Sequence, residues 1–259
     1  MRTAVQLYTL RDDTTTWDGL DRAIGRCADL GYAGAQVSAV RCLGDRPDAA
    51  DGARVREMLD RRGMVCVGTH RPWRGLVEEF ERELAFHLAL GGGVVGLGHP
   101  GGVFPLSAEG FAELAPRAAA MDERLRAHGL RFGYHNHAEE FVRDAGRIRL
   151  DRLVEGTNIP FILDVYWVQH AGHDPVAWID RLPGRVPIVH FKDKEVVDGD
   201  GPVMAPVGEG NLDWPRIVAA CRRAGTEWAT VEQDTCRRDP YDCLASSARF
   251  LAGFSEDGG

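Results

Sequence analysis

The stretch RAHGLRFGYHNH, residues 126–137, closes a helix and opens a strand. Gly129 stops the helical pattern, and the aromatic and small residues after it read as β. Side chains alternate along a strand, so His135 and His137 share one face and Asn136 takes the other. The same joint recurs along the chain. Further strand candidates are TAVQLY (3–8), GAQVSAV (34–40), MVCVGTH (64–70) and VVGLGHP (94–100). FILDVYW (161–167), VPIVHFKD (186–193) and WATVEQD (228–234) complete a set of eight with RFGYHNH (131–137).

Amphipathic segments such as 17–31, 76–92, 107–129, 174–182, 212–225 and 241–254 lie between them, several opened by Asp or Ser and closed by Gly. Eight βα units in 259 residues match the α/β arithmetic of a TIM barrel, a parallel eight-stranded (β/α)8 barrel with outer helices. No break in composition divides the chain, so residues 1–259 are expected to form a single TIM-barrel domain. The competing doubly wound sheet calls for a Gly-rich turn after the first strand, and QLYTLRDD has none.

Hydrophobic residues make up 44% of the chain, enough for a large core. The net charge of −8 argues against a nucleic-acid partner, which needs clustered Lys and Arg. Charges interrupt every apolar run near the N-terminus, and no run is long enough to span a bilayer. Six scattered cysteines without Cys-x-x-Cys spacing read as buried thiols. A cytoplasmic protein with no membrane partner is expected, and a homo-oligomer is compatible with the sequence.

In a TIM barrel the active site lies at the C-terminal ends of the strands. Those positions hold His70, His99, His135, His137, Asp164, His190 with Lys192, and Glu232 with Asp234. Asp164, His190 and Glu232 interrupt otherwise apolar strands. A buried charge costs several kcal/mol unless it is paired or metal-bound. An Asp, a His and a Glu from successive strands can converge on one divalent cation, and mixed N/O ligands suit Mn²⁺, Zn²⁺, Co²⁺ or Fe²⁺. Each alone also has a structural reading, as a loop cap or an ion-pair partner.

The motifs YHNHAEEF, ILDVYWVQHAGHDP, HFKD, VGEGNLDW and VEQD resemble the xylose-isomerase-like TIM-barrel superfamily of sugar phosphate isomerases/epimerases, including inosose dehydratases and keto-sugar epimerases. The resemblance implies one divalent metal, Mn²⁺ first with Co²⁺, Zn²⁺, Fe²⁺ or Mg²⁺ as alternatives. It implies Asp164, His190 and Glu232 as ligands. The epimerases carry a Glu on strand 5 where this chain has His135, which becomes the fourth ligand candidate. His137 is then the acid/base or substrate contact, and Glu140 is the rival for either role.

The implied chemistry is that of an isomerase, epimerase or dehydratase acting on a keto-sugar or keto-polyol through an enediolate, with His137 or Glu232 as base. Lys192 is expected to hold a substrate oxygen or to pair with Asp164 or Glu232. His70 is a further substrate contact. Tyr8 and Trp167 offer an apolar wall, and Glu209, in the Gly-rich segment 196–214, offers a contact from a mobile loop. The alternatives are a non-catalytic sugar-binding barrel and an endonuclease IV-like metallohydrolase. Against the latter, Trp167 stands where that family has a ligating His.

Overall fold

In the computed structural model, which describes residues 1–144 and 146–254, eight parallel strands close into a barrel with helices outside. The strands are β1 (Arg2–Gln6), β2 (Gly34–Val37), β3 (Val65–His70) and β4 (Val94–Leu97), then β5 (Arg131–His135), β6 (Phe161–Asp164), β7 (Ile188–Phe191) and β8 (Trp228–Val231). Closure is made by β8 against β1, with Arg2 opposite Trp228 and Val5 opposite Val231. The TIM-barrel expectation is met.

Besides a short helix at Trp73–Glu78, the helices are α1 (Trp17–Asp29), α2 (Ala49–Asp60), α3 (Phe80–Leu90), α4 (Ala108–Arg126), α5 (Asp151–Gly156), α6 (Val165–His170), α7 (Pro175–Asp180), α8 (Trp214–Ala224) and α9 (Pro240–Ala252). Their starts follow local chemistry. Thr16 and Ser107 accept from backbone N–H groups three residues on, and Asp48 forms a capping box with Asp51. Proline occupies the first turn of α7, α8 and α9, where no N–H is needed. Among the described residues, no helix is long and apolar enough to cross a membrane.

Two apolar layers hold the barrel. The larger fills the space between strands and helices, and the smaller plugs the barrel floor with Ala4, Val67, Val94, Ile162, Ile188 and Trp228. Above this plug the inward positions turn polar, which is where the strand ends converge.

One irregularity sets the inward set. Ala35 pairs with Cys66 but Gln36 pairs with Gly68, so β3 carries Val67 as an extra residue. Val67 lies in the inner plug, and a Cβ on Gly68 would also point inward, 3.1 Å from Ile188 Cδ1. Thr69 then faces outward to His87, at 2.8 Å, and His70 faces the interior. Strict alternation from Val67 would turn His70 out. The bulge reverses the parity.

Seven of the eight expected strands end two or three residues early, among them β5 at His135, so that His137 lies past the strand. Asp164 closes β6 because its carboxylate accepts from Trp167 N–H at 3.1 Å and starts α6, so residues 165–167 are helical. Beyond β7 the chain forms an antiparallel hairpin, Asp193–Val197 with Gly201–Ala205.

Candidate active site

At the C-terminal mouth of the barrel a cavity of about 360 Å³ is lined by Tyr8, His70, His135, His137, Lys192, Glu232 and Asp234, among others. Strand register brings the polar groups together: Asp164 lies opposite His190 across β6 and β7, and His190 lies opposite Thr230 across β7 and β8.

Asp164 is fully buried and rigidly held. Asn136 accepts from its N–H at 2.9 Å and donates to its C=O at 3.3 Å, stitching the end of β5 to the end of β6. Oδ1 caps α6. Oδ2 accepts no hydrogen bond, and its charged neighbours are Lys192 Nζ at 3.1 Å and His190 Nδ1 at 3.8 Å. His190 Nε2 lies 2.7 Å from Gln36 Oε1, while Nδ1 points at Glu232 Oε2, 2.9 Å away. Glu232 Oε2, like His190 Nδ1, lacks a partner with hydrogen-bond geometry. Thus one atom each from Asp164, His190 and Glu232 meet within 4.8 Å of one another, all buried.

Lys192 stands beside them, its ammonium 3.0 Å from Glu232 Oε2 and 2.9 Å from Asp234 Oδ1. Both structural partners expected for it are therefore present, with Asp234 as a third. Burial opposes its charge, but Asp164, Glu232 and Asp234 outweigh this and raise its pKa. Burial likewise pushes Glu232 upward, and Lys192 and His190 carry it well below the usual carboxylate range. Asp234 moves the other way, pushed up to about 6 by burial and by Glu232.

With neutral imidazoles, three carboxylates and one ammonium leave two negative charges in excess. One divalent cation would balance them, and the unpartnered Asp164 Oδ2, His190 Nδ1 and Glu232 Oε2 fit it as ligands. Without it, the excess draws a proton onto His190. Burial lowers that pKa, but Glu232 and Asp164 overcome it and lift it to about 8.

The other imidazoles behave differently. His135 packs between His70 and His190, ring centroids 4.8 and 4.6 Å apart, and burial with His190 nearby drives its pKa well below the ordinary value. Its ligand atom groups with those of His70 and His190 rather than with the two carboxylates. His70 is pushed down to about 3, first by burial and then by His190, and its Nε2 is unpartnered. Gly98 makes room for it, since a Cβ there would lie 3.0 Å from His70 Nδ1. His137, just past β5, is lowered by burial and has an unpartnered Nδ1.

Glu140 is not aimed at this cluster. It is fully buried, accepting from Tyr134 O–H at 2.8 Å and from His137 N–H at 2.9 Å, and burial raises its pKa. Glu209 does not line the cavity. Its carboxylate is held by Arg238 at 2.6 and 2.8 Å and by Ser246 Oγ, and Arg238 pulls its pKa down to about 2. The segment around it is pinned by Asp193, which accepts from the N–H groups of Gly208, Gly210 and Leu212 and from Trp214 Nε1. Tyr8 lines the cavity under the Arg11 guanidinium. Trp167 stands behind His137, ring centroids 5.6 Å apart, outside the lining.

Gln36 and Asn136 were not singled out from the sequence. Gln36 carries the signal that exposed Asp164, a polar residue inside an apolar strand, GAQV.

A family model described as xylose isomerase-like TIM barrel matches residues 24–252. An inosose dehydratase from Lacticaseibacillus casei is 24% identical over 160 residues, 54% of this chain and 53% of that protein, so the chain spans about half the length of the curated relatives it matches. Among solved structures, a sugar phosphate isomerase/epimerase from Parabacteroides distasonis superposes with a TM-score of 0.78 at 20% identity, covering 96% of this chain and 93% of that one. An L-ribulose 3-epimerase gives 0.73 at 18% identity, covering 98% and 93%.

Proposed function

Because the chain belongs to the xylose isomerase-like TIM barrel family, a family of sugar isomerases, epimerases and dehydratases, we propose that it is a divalent-metal-dependent enzyme of this kind acting on an uncharged keto-sugar or keto-polyol. The observation that carries the proposal is the meeting of Asp164 Oδ2, His190 Nδ1 and Glu232 Oε2, buried and without hydrogen-bond partners, with Glu232 among the residues lining the cavity.

When bound there, a divalent cation supplies Lewis-acid charge that acidifies a C–H bond beside a carbonyl. The chain's own groups do the rest. His137 takes that proton at Nδ1, which no protein group occupies, and its lowered pKa keeps it neutral and ready to do so. Glu232 is the poorer base, because Lys192 and His190 hold its proton affinity down. Glu140 fixes the His137 backbone so that the ring stays over the cavity. Lys192, which lines the cavity, would lie near an oxygen that gains negative charge as the proton leaves. His70 Nε2 is free to meet a substrate hydroxyl. His135, its ring tilted against that of His190, closes the cluster and is retained as a fourth ligand candidate.

An uncharged substrate is supported by how the lining cations are used. Arg71 is bound through two nitrogens to Glu83 at 2.7 and 2.8 Å, and Lys192 is held by its three carboxylates. Among the described residues lining the cavity, neither cation is free for a phosphate.

The test is to incubate 3-keto sugars, inososes and ketoses with the protein and Mn²⁺ in D₂O and follow carbon-bound deuterium by NMR. Label is expected at the carbon beside the carbonyl, and Asp164→Ala should lose both retained metal and label. A protein that retains no divalent ion and labels nothing would instead be a non-catalytic sugar-binding barrel.

A further inference from the structure

We infer that Gln36 is a positioning residue for His190: by accepting the Nε2–H it holds the Nδ1 lone pair toward Asp164 and Glu232. The inference rests on the metal site proposed above and goes beyond it to a residue on the far side of the barrel.

Gln36 lies on β2, fully buried, with Oε1 2.7 Å from His190 Nε2 on β7. Its strand neighbour in register is Gln6, also fully buried. The β3 bulge falls at this position, placing Gln36 opposite Gly68, which has no side chain to compete for the interior. The amide nitrogen of Gln36 has no partner, so the residue does not earn its place by filling its own hydrogen-bonding capacity. An apolar side chain of the same length would satisfy packing there better.

An amide can present either oxygen or nitrogen to an imidazole, so the direction of this bond is set by the other ring nitrogen. His190 Nδ1 faces two carboxylate oxygens, at 2.9 and 3.8 Å. Facing acceptors, it must carry either a proton or a cation. With a cation it gives its lone pair and the ring keeps its proton at Nε2. With a proton at Nδ1 the ring is either imidazolium, with Nε2 again a donor, or the neutral Nδ1–H tautomer, to which the amide would turn its nitrogen. The cation-bound ring therefore needs an acceptor at Nε2, and Gln36 Oε1, 2.7 Å away, supplies it. A neutral amide does so without adding a fourth carboxylate to a site already two charges in excess.

The experiment measures Zn²⁺ affinity by chelator competition for the full chain, for Gln36→Leu and for Gln36→Glu, with long-range ¹H–¹⁵N NMR of the Zn²⁺-loaded wild type. Gln36→Leu is expected to bind Zn²⁺ about 10–100-fold more weakly, the usual effect of losing a group that orients a ligand. Gln36→Glu keeps an acceptor and is expected to bind at least as tightly as wild type. The wild-type spectrum should show His190 protonated at Nε2 and not at Nδ1. A folded Gln36→Leu with wild-type affinity, or a His190 proton at Nδ1 in the loaded protein, would overturn the inference. If Gln36→Leu does not fold, the spectrum and Gln36→Glu still decide. A wild type that takes up no Zn²⁺ overturns the metal site as well, whereas loss confined to the comparison between variants leaves that site standing.

Discussion

His137 and Glu140 stand three residues apart and have different duties. His137 lines the cavity and its buried Nδ1 has no hydrogen-bond partner, while Glu140 spends both carboxylate oxygens on Tyr134 and on the His137 backbone. His137→Ala is therefore expected to keep stoichiometric metal and lose turnover about 10²–10⁴-fold, the usual worth of a positioned base. In the wild type, the acid limb of the pH–rate profile should fall below the ordinary imidazole range, because burial depresses this pKa and the free base persists to lower pH. Glu140→Gln should also keep its metal but unfold more easily, by about 1–3 kcal/mol, since the amide nitrogen is a donor and would face a donor where the carboxylate oxygen accepts. Metal loss in Glu140→Gln would reassign it as a ligand. Asp164, His190 and Glu232 were legible in the sequence because each breaks an apolar strand. The duty of Glu140 was not, since it depends on a tyrosine hydroxyl whose direction no local pattern records.

Elements were legible to the extent that their signals are local. All eight strands announce themselves by apolar runs, seven of them with a glycine or proline in or close to the run, and the structure has a strand overlapping each. The ends overshoot where a side chain, rather than the backbone pattern, stops the strand, as Asp164 does for β6 by capping α6. The β3 bulge leaves no sequence signal beyond Gly68, yet it turns His70 inward. Gly68→Ala tests this element. The added Cβ would lie 2.8 Å from Val94 O on β4, a backbone atom that cannot swing aside. A loss of about 1–3 kcal/mol in chemical denaturation is expected, with weaker substrate binding through displaced His70. Unchanged stability would mean that β3 and β4 have slack at the bulge.

For the molecule as a whole, the buried ammonium of Lys192 is the main charge holding Asp164, Glu232 and Asp234 together when no metal is bound. Lys192→Met removes it and leaves three carboxylates facing one another in the barrel mouth. Breaking such a buried pair costs about 3–5 kcal/mol. Metal-free Lys192→Met is expected to melt well below wild type, and saturating Mn²⁺ should raise its melting temperature more than it raises that of wild type. Equal melting temperatures without metal would show that the ammonium contributes nothing to the fold. The lysine is also a counterion that cannot diffuse away. A sodium or potassium ion entering the mouth brings no more charge than this tethered group already provides, and so has nothing to gain by displacing it toward Asp234. A dication brings one charge more. On the proposed metal site, the barrel mouth would act as a valence filter that favours divalent ions over monovalent ones.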